Sequence, residues 1–238
     1  MDATDSPARR GECLLDLIGS TPTVRLRSVR PEGGAEIWLK LEHLNPSGSV
    51  QDRAAAAIAG ASAGPVALRA APDRAIAVAL AARVLGQPCA VALSTPPTHE
   101  QREMLRLLGA ELVEQAPSAD PIAAGAFRAT LGAEVAAWAG RPDLPARLSL
   151  IVAPAELAPA LDGAGVPVLP VPSVPAPEAA AMAARLAREE GLLVGPSTGA
   201  GVAAALRAAR ERPPSEAVLA FALESGERYF SVTMERRT

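Results

Sequence analysis

Imine formation on a carbonyl needs a free amine, and the chain contains one lysine, Lys40. Its other basic side chains, two histidines apart, are all arginines, whose guanidinium stays protonated and does not attack. Two cysteines, Cys13 and Cys89, could supply a thiol. They are far apart in sequence, make no metal-ligand pattern, and read as unpaired, partly buried thiols. His43 and His99 lack the spacing of a metal-binding pair, so no metal is expected. Ser197 has no histidine near it in sequence to serve as base, and Cys89 falls in a predicted buried strand. A hydrolytic or thiol enzyme needs nucleophile and base in one pocket, and no pair of residues here announces one.

The surrounding chain is that of a globular protein. Its 238 residues suffice for one sizeable core, in one lobe or two. Hydrophobic residues make up 49% but aromatics only 3%, so the core must be built from small and aliphatic side chains. A formal net charge of -3 without a basic stripe argues against nucleic acid. No apolar run reaches the length of a membrane span. Residues 1–12 are polar and lack an apolar signal core. A cytoplasmic location is the resulting expectation.

Strands and helices alternate along the sequence. Residues 22–29 alternate apolar and polar as a half-buried strand does, and 35–42 read as a second strand after Pro31-Glu32-Gly33-Gly34. A helix is predicted from about Ser49, with that serine as N-cap, and another over 73–85, with Asp73 as N-cap. A strand over 88–94, a helix over 97–108 stopped by Gly109 and a strand over 110–114 follow. The second half predicts a strand over 148–153, a short helix over 155–161 and a strand over 166–171. After the proline-rich connector 172–177 come a helix over 177–190, a strand over 192–194, a helix from about Thr198 to Arg212 and a last strand over 217–223. Such alternation indicates parallel sheets covered by helices. No internal repeat is visible.

One segment carries more information than the rest. Lys40-Leu41-Glu42-His43-Leu44-Asn45-Pro46-Ser47-Gly48-Ser49-Val50-Gln51-Asp52-Arg53 resembles the K-x-E-x-x-N-P-x-G-S-V-K-D-R signature of the cysteine synthase and cystathionine β-synthase family, whose members are fold type II pyridoxal-phosphate (PLP) enzymes. Ile18-Gly19-Ser20-Thr21-Pro22-Thr23-Val24-Arg25-Leu26 is similar to that family's opening I-G-N-T-P-L-V-R-L. Arg102-Glu103-Met104-Leu105 through Gly109-Ala110-Glu111-Leu112-Val113 is similar to R-x-x-L-L-x-x-x-G-A-E-L-V. Residues 127–138, with Thr130-Leu131-Gly132 and Glu134, resemble T-T-G-P-E-I-W. Residues 187–195 resemble the run before the serine that contacts the pyridine nitrogen, and Glu224-Ser225-Gly226-Glu227-Arg228-Tyr229 resembles the closing D-S-G-E-R-Y. The resemblance implies an α/β, two-lobed, tryptophan synthase β-like fold, shortened, with a larger lobe of 12–69 plus 146–238 and a smaller lobe of 70–145.

The departures from the family pattern matter for function. Gln51 stands where the family's Schiff-base lysine stands, and an amide nitrogen cannot condense with an aldehyde. The nest for the substrate carboxylate, T-S-G-N-T-G in the family, is matched by Ala70-Ala71-Pro72-Asp73-Arg74-Ala75. Both glycines are gone, Asp73 would repel a carboxylate, and Arg74 could offset it. The phosphate loop, G-T-G-G-T in the family, is matched by Ala153-Pro154-Ala155-Glu156-Leu157. Pro154 has no N–H to give, and Glu156 brings negative charge, reading more simply as a first-turn carboxylate on its own helix dipole. Ser197 and Thr198 survive where the family contacts the pyridine nitrogen, and their plainer role is a helix N-cap. Two stretches look shortened: the one after the 110–114 strand and the loop before Glu178.

No cofactor, no metal and no catalytic residue are therefore expected. The leading function is a silent homologue acting as partner, scaffold or regulator of an active PLP enzyme, as a homodimer or a heteromer with that homologue. An amino-acid or small-molecule binder, or a non-PLP enzyme of sulfur amino-acid metabolism, is the alternative. True cysteine synthase activity would need Lys40 as a replacement lysine. Loss of lid segments should also leave an apolar face, at the family's dimer surface or in the emptied cleft near Gln51, Asp73 and Ser197.

Overall fold

A computed structural model of the chain describes residues 11–118, 120–142 and 144–235, without the side chains of 120, 121 and 233–235. The reading of residues 1–12 as polar and without a signal core falls, for 1–10, outside them. The elements run β1 (Thr23–Arg25), β2 (Glu36–Lys40), α1 (Asp52–Gly60), β3 (Val66–Ala70), α2 (Pro72–Val84), β4 (Cys89–Leu93), α3 (His99–Leu107), β5 (Glu111–Leu112), α4 (Asp120–Phe127), α5 (Ala133–Ala139), β6 (Arg147–Ala153), α6 (Ala158–Leu161), β7 (Val168–Pro170), α7 (Ala176–Glu190), α8 (Pro196–Arg210), β8 (Glu216–Phe221) and α9 (Phe230–Glu235).

The strands form two sheets, in the orders β1-β2-β8-β6-β7 and β3-β4-β5. All pairings are parallel except the edge pair β1–β2. The central strands β6 and β8 are nearly continuous apolar runs, as strands covered on both faces must be. Successive residues of β8 serve opposite sides. Leu219 and Phe221 pack with α1, α2, β3 and β4, while Val218 and Ala220 pack with α8. The first of these clusters joins the two sheets into one core. Helix α2 is apolar around most of its circumference and correspondingly buried. On the other side α7 and α8 approach so closely that a Cβ on Gly199 would run into the backbone of Ala179. Small residues make that approach possible.

Several expectations need correction. Strand β3 and helices α4 and α5, with a π-helical turn between them at Arg128–Gly132, were not read from the sequence. The strand expected over 192–194 is a single bridge, Val194 to Ser225. Helix α6 begins at Ala158 rather than 155. Helix α1 begins at Asp52, and Ser49 is not its N-cap, although its hydroxyl accepts from the Gln51 N–H at 3.2 Å. Cys89 is buried, but Cys13 is exposed; both are free thiols. Gly109, with φ +75, does terminate α3 as expected. Among the described residues no helix is long and apolar enough to cross a membrane. Among them, likewise, no cluster of three or more His, Cys, Asp or Glu is placed to hold a metal.

Candidate functional site

Between β2 and α1 the chain folds through a short 3-10 turn and the left-handed Gly48, φ +84. This segment divides its side chains between two environments. Lys40 turns inward and donates to Thr21 O at 3.0 Å, Thr21 Oγ1 at 2.8 Å and Glu134 Oε2 at 2.8 Å. Arg53 spans two carboxylates: Glu42 through Nε at 2.7 Å and Nη2 at 2.9 Å, and Glu134 through Nη1 at 2.8 Å and Nη2 at 2.9 Å. The Arg53 and Glu42 side chains are fully buried, each at 0% exposure. Burial alone would raise the Glu134 carboxyl, but the bonds from Arg53 and Lys40 prevail and hold it at about 2. Asn45 donates to Glu42 and accepts from the Gly19 N–H at 2.8 Å. Asp52 accepts from Ser47 Oγ at 2.7 Å and from the Ser47 and Ser49 amides. Together these bonds tie the opening motif, the signature segment and α5 into one buried cluster.

Gln51 is the exception, and it faces a cleft of about 550 Å³ where the carboxyl ends of β3 and β6 meet. Its Oε1 accepts from Arg74 Nε at 2.8 Å, and its Nε2 donates to Glu156 Oε1 at 3.1 Å. Arg74 closes the triangle on Glu156 Oε2 at 3.3 Å. Three elements are thereby joined: the start of α1, the first turn of α2 and the turn after β6. Arg74 was expected to offset Asp73; it pairs with Glu156 instead. Glu156 was expected in the first turn of a helix. It lies before α6, where the Leu157 and Ala158 amides both donate to Pro154 O at 2.9 and 3.1 Å. Lys40 is not among the residues lining the cleft.

Asp73 does not cap its helix. Ala71 is the N-cap and Pro72 occupies the first turn. The Asp73 carboxylate instead receives Arg228 Nη1 at 2.5 Å, Tyr229 OH at 3.1 Å and Gln101 Nε2 at 3.2 Å. Ser197 and Thr198 are not caps either, because α8 starts after Gly195. Thr198 Oγ1 accepts from the Leu223 N–H at 2.9 Å, and the Ser197 N–H donates to Glu224 Oε1 at 3.1 Å. Glu224 thus does the capping, at a helix N-terminus that favours negative charge. A Cβ at position 195 would collide with the Glu224 carboxylate and the Tyr229 ring, so glycine is required there. Burial pushes the Glu224 carboxyl up, the neighbouring Asp73 adds to this, and amide bonds only partly offset it, leaving it at about 8.

The cleft therefore brings Gln51, Asp73, Pro154, Glu156 and Ser197 together, while Thr198 lies buried behind it. The cleft lining is mixed: Ser49, Arg69, Ser94, Ser118 and Glu224 stand beside Val50, Ala70, Ala71 and Leu223. The roles of Glu224, Arg228 and Tyr229 were missed. They were visible as a motif, but nothing in local spacing connects Arg228 with Asp73, 155 positions away.

Comparison with known proteins agrees with this geometry. The profile of the family described as "Pyridoxal-phosphate dependent enzyme" matches residues 14–138. The "Probable cysteine synthase" of Bacillus subtilis is 28% identical over 92% of this chain and 96% of its own length. That alignment runs over 303 residues against the 238 of this chain, so the relative contains stretches that are missing here. Cysteine synthase B of Escherichia coli is 36% identical over 40% of this chain, but the match spans only 34% of that protein. The crystal structure of an O-ureido-L-serine synthase superposes with a TM-score of 0.80 at 24% identity, covering 94% of each chain. O-acetyl serine sulfhydrylase isoform 3 from Entamoeba histolytica gives 0.80 at 19% identity, covering 99% of this chain and 95% of that one.

The family's cofactor does not fit the residues present. Position 51 offers an amide already bonded on both its atoms. The turn after β6 offers a carboxylate where a phosphate needs converging N–H groups, and spends its Leu157 and Ala158 amides on Pro154. The mismatch is confined to the cleft, whereas the matched profile, the motifs in their buried roles and the two-sheet fold agree: the chain belongs to the pyridoxal-phosphate dependent enzyme family, in its cysteine synthase-like, fold type II branch.

Proposed function

We propose that this protein performs no PLP chemistry and acts as a partner, scaffold or regulator of an active PLP-dependent homologue. The observation that carries the reading is the bond between Gln51 and Glu156, two changed residues that satisfy each other. Random decay of a site would leave polar groups unpaired, which is costly in a partly buried cleft. The test is incubation with excess PLP followed by reduction and mass analysis. The expected result is no stoichiometric adduct. A single reducible adduct, on Lys40 above all, overturns the reading.

Repair of position 51 bears on the same point. Gln51→Lys should not restore cysteine formation from O-acetylserine and sulfide. The new ammonium would lie against Glu156, which favours its charged, non-nucleophilic form. Strong turnover by the single variant would show that the loop changes matter less than the lysine.

The partner half of the proposal rests on exposed large apolar side chains, with Leu44, Leu107, Leu193 and Phe230 about half exposed or more. A homodimer or a heteromer burying roughly 1,200 Å² or more is expected. Light scattering tests the first and co-expression with a lysine-bearing homologue the second. A monomer that captures no such homologue refutes both. The unpaired thiols of Cys13 and Cys89 agree with a cytoplasmic setting. A second reading, an amino-acid or small-molecule binder, is favoured by the cleft of about 550 Å³ with its mixed polar and apolar lining. A thermal-shift screen with amino acids separates the two.

A further inference from the structure

A sheet that ends in an open strand can accept another chain, and proteins usually blunt such edges. Among the described residues, three of the four edges of the two sheets are blunted. Strand β7 closes on Pro170, which has no N–H to offer. Strand β3 is covered by the chain at 117–118, with the Arg69 N–H donating to Pro117 O at 2.7 Å. Strand β5 is only two residues long. Strand β1 is the exception. It pairs with β2 alone, and Val24 and Arg25 are exposed. The Leu26 N–H donates to Ile37 O and the Leu41 N–H to Pro22 O, so in this antiparallel register Thr23 and Arg25 turn their N–H and C=O groups away from β2. No hydrogen bond from the described residues reaches these outward groups.

The open edge runs into a basic crevice of about 310 Å³ lined by Arg25, Leu26, Arg27, Arg30 and Glu36. Glu36 is already taken, by Arg25 Nη1 at 2.7 Å and the Trp38 indole at 3.0 Å. Arg30 donates through Nε to Arg27 O at 3.1 Å and has no carboxylate partner among the described residues, and the Arg27 guanidinium has no partner of any kind among them. Glu190, the carboxylate bonded to this loop, is spent on the Arg27, Ser28 and Val29 amides. Charged side chains on an edge strand ordinarily serve to keep other strands away. Arg27 and Arg30 lie past the end of β1, where they guard no ladder group.

We propose that β1 and this crevice form a docking surface for an extended acidic segment of a partner protein, which adds a sixth strand to the five-stranded sheet and sets carboxylates on Arg27 and Arg30. The inference deepens the partner reading given above and rests on it, since it supplies the partner's chemistry. Main-chain bonds to Thr23 and Arg25 give affinity for any extended chain, and charge-assisted bonds to the two guanidinium groups select an acidic one. A second copy of this chain is the poorer occupant. Pairing β1 with itself across a dyad brings Arg25, Arg27 and Arg30 of both copies together, and like charges across a strand pair repel.

The test is fluorescence anisotropy with a labelled peptide of roughly seven residues, the length of a short strand, alternating glutamate and threonine. Its glutamine–threonine counterpart and a single-stranded oligonucleotide of equal charge are the comparisons. The proteins are wild type, Arg27→Gln with Arg30→Gln, and Thr23→Pro, which removes one outward N–H beside Pro22 and leaves every charge in place. Melting of each variant checks its folding, and the comparison of the two peptides on wild type stands without any variant. Wild type should bind the acidic peptide at least about tenfold more tightly than the amide one, and the double arginine variant should lose most of that preference. Thr23→Pro should weaken the acidic peptide by about threefold or more. Amide exchange at Thr23 and Arg25 should slow when that peptide is bound. Equal binding of the two peptides by wild type, an oligonucleotide bound as tightly as the acidic peptide, unchanged affinity in Thr23→Pro, or self-association that Thr23→Pro abolishes overturns the proposal. Capture of a lysine-bearing homologue is read separately. Capture by wild type and double variant alike, without acidic-peptide binding, sinks this surface and leaves the partner reading standing; peptide binding without capture does the reverse.

Discussion

Two polar networks grow from the same segment of chain, and they differ in almost every respect. The Lys40–Glu42–Arg53–Glu134 cluster is buried, with every charge answered by at least one opposite charge. The Gln51–Arg74–Glu156 triangle stands at the mouth of a cleft, with Glu156 half in solvent. The residues of the first cluster keep the family pattern, whereas Gln51 and Glu156 in the second depart from it. The contrast shows that a family signature mixes two kinds of requirement. Lys40, Glu42, Asn45, Asp52 and Arg53 hold the turn before α1 through buried bonds. Position 51 is needed only for chemistry, so it can change while the turn remains intact.

The contrast can be broken by mutation. Arg53→Met leaves Glu42 buried without its guanidinium and should destabilise the protein by roughly 3–5 kcal/mol in chemical denaturation. A loss below about 1 kcal/mol would mean that the buried cluster is no frame.

pH sharpens it further. Glu134, held at about 2 against an ordinary 4.5, contributes stability that is present above about 4.5 and lost as pH falls towards 2. Glu224, raised to about 8, works in the opposite sense: the stabilisation is present below about 4.5 and lost as pH rises through 8. Its slope should reach at most about 1.4 kcal/mol per pH unit. Glu224→Gln should flatten the alkaline limb and leave the acid limb unchanged, as read by denaturation midpoints across pH. An unchanged alkaline limb refutes the assignment.

Asp73→Asn removes the charge opposite the buried Arg228 and should cost roughly 1–3 kcal/mol. It should also lower the Glu224 transition, since one of the two causes that raise it is gone. The smallest effect belongs to the cleft itself. Gln51→Ala gives up two bonds at a partly solvated site and should change stability by no more than about 1 kcal/mol. A larger loss would put Gln51 in the frame after all.

What the sequence disclosed follows the same division. Long apolar runs and their alternation located β6, β8, α7 and α8, because those elements are set by burial. The termination of α3 at Gly109 was legible since a left-handed residue is a local requirement. Helix caps were not. Ser49, Asp73, Ser197 and Thr198 all have cap chemistry, and each is instead claimed by another partner, three of them far away in sequence: Asp73 by Arg228, the Ser197 amide by Glu224, Thr198 by the Leu223 amide. The strand β3 was missed because Val66–Ala70 is short and two of its five residues are alanine, leaving a weak alternation. At the cleft, the residue changes were legible one by one. Their mutual bonding was not, since Gln51 and Glu156 are 105 positions apart.

The burial of Lys40 has a consequence outside catalysis. It is the only lysine in the chain, it is 4% exposed, and its ammonium is fully engaged by Thr21 and Glu134. The folded protein offers no lysine amine to the surrounding solution. Acyl donors, reducing sugars, amine-directed cross-linkers and lysine-conjugated tags would find a side-chain target only in molecules whose core has opened. Lysine labelling of this protein is thereby a direct count of its unfolded fraction.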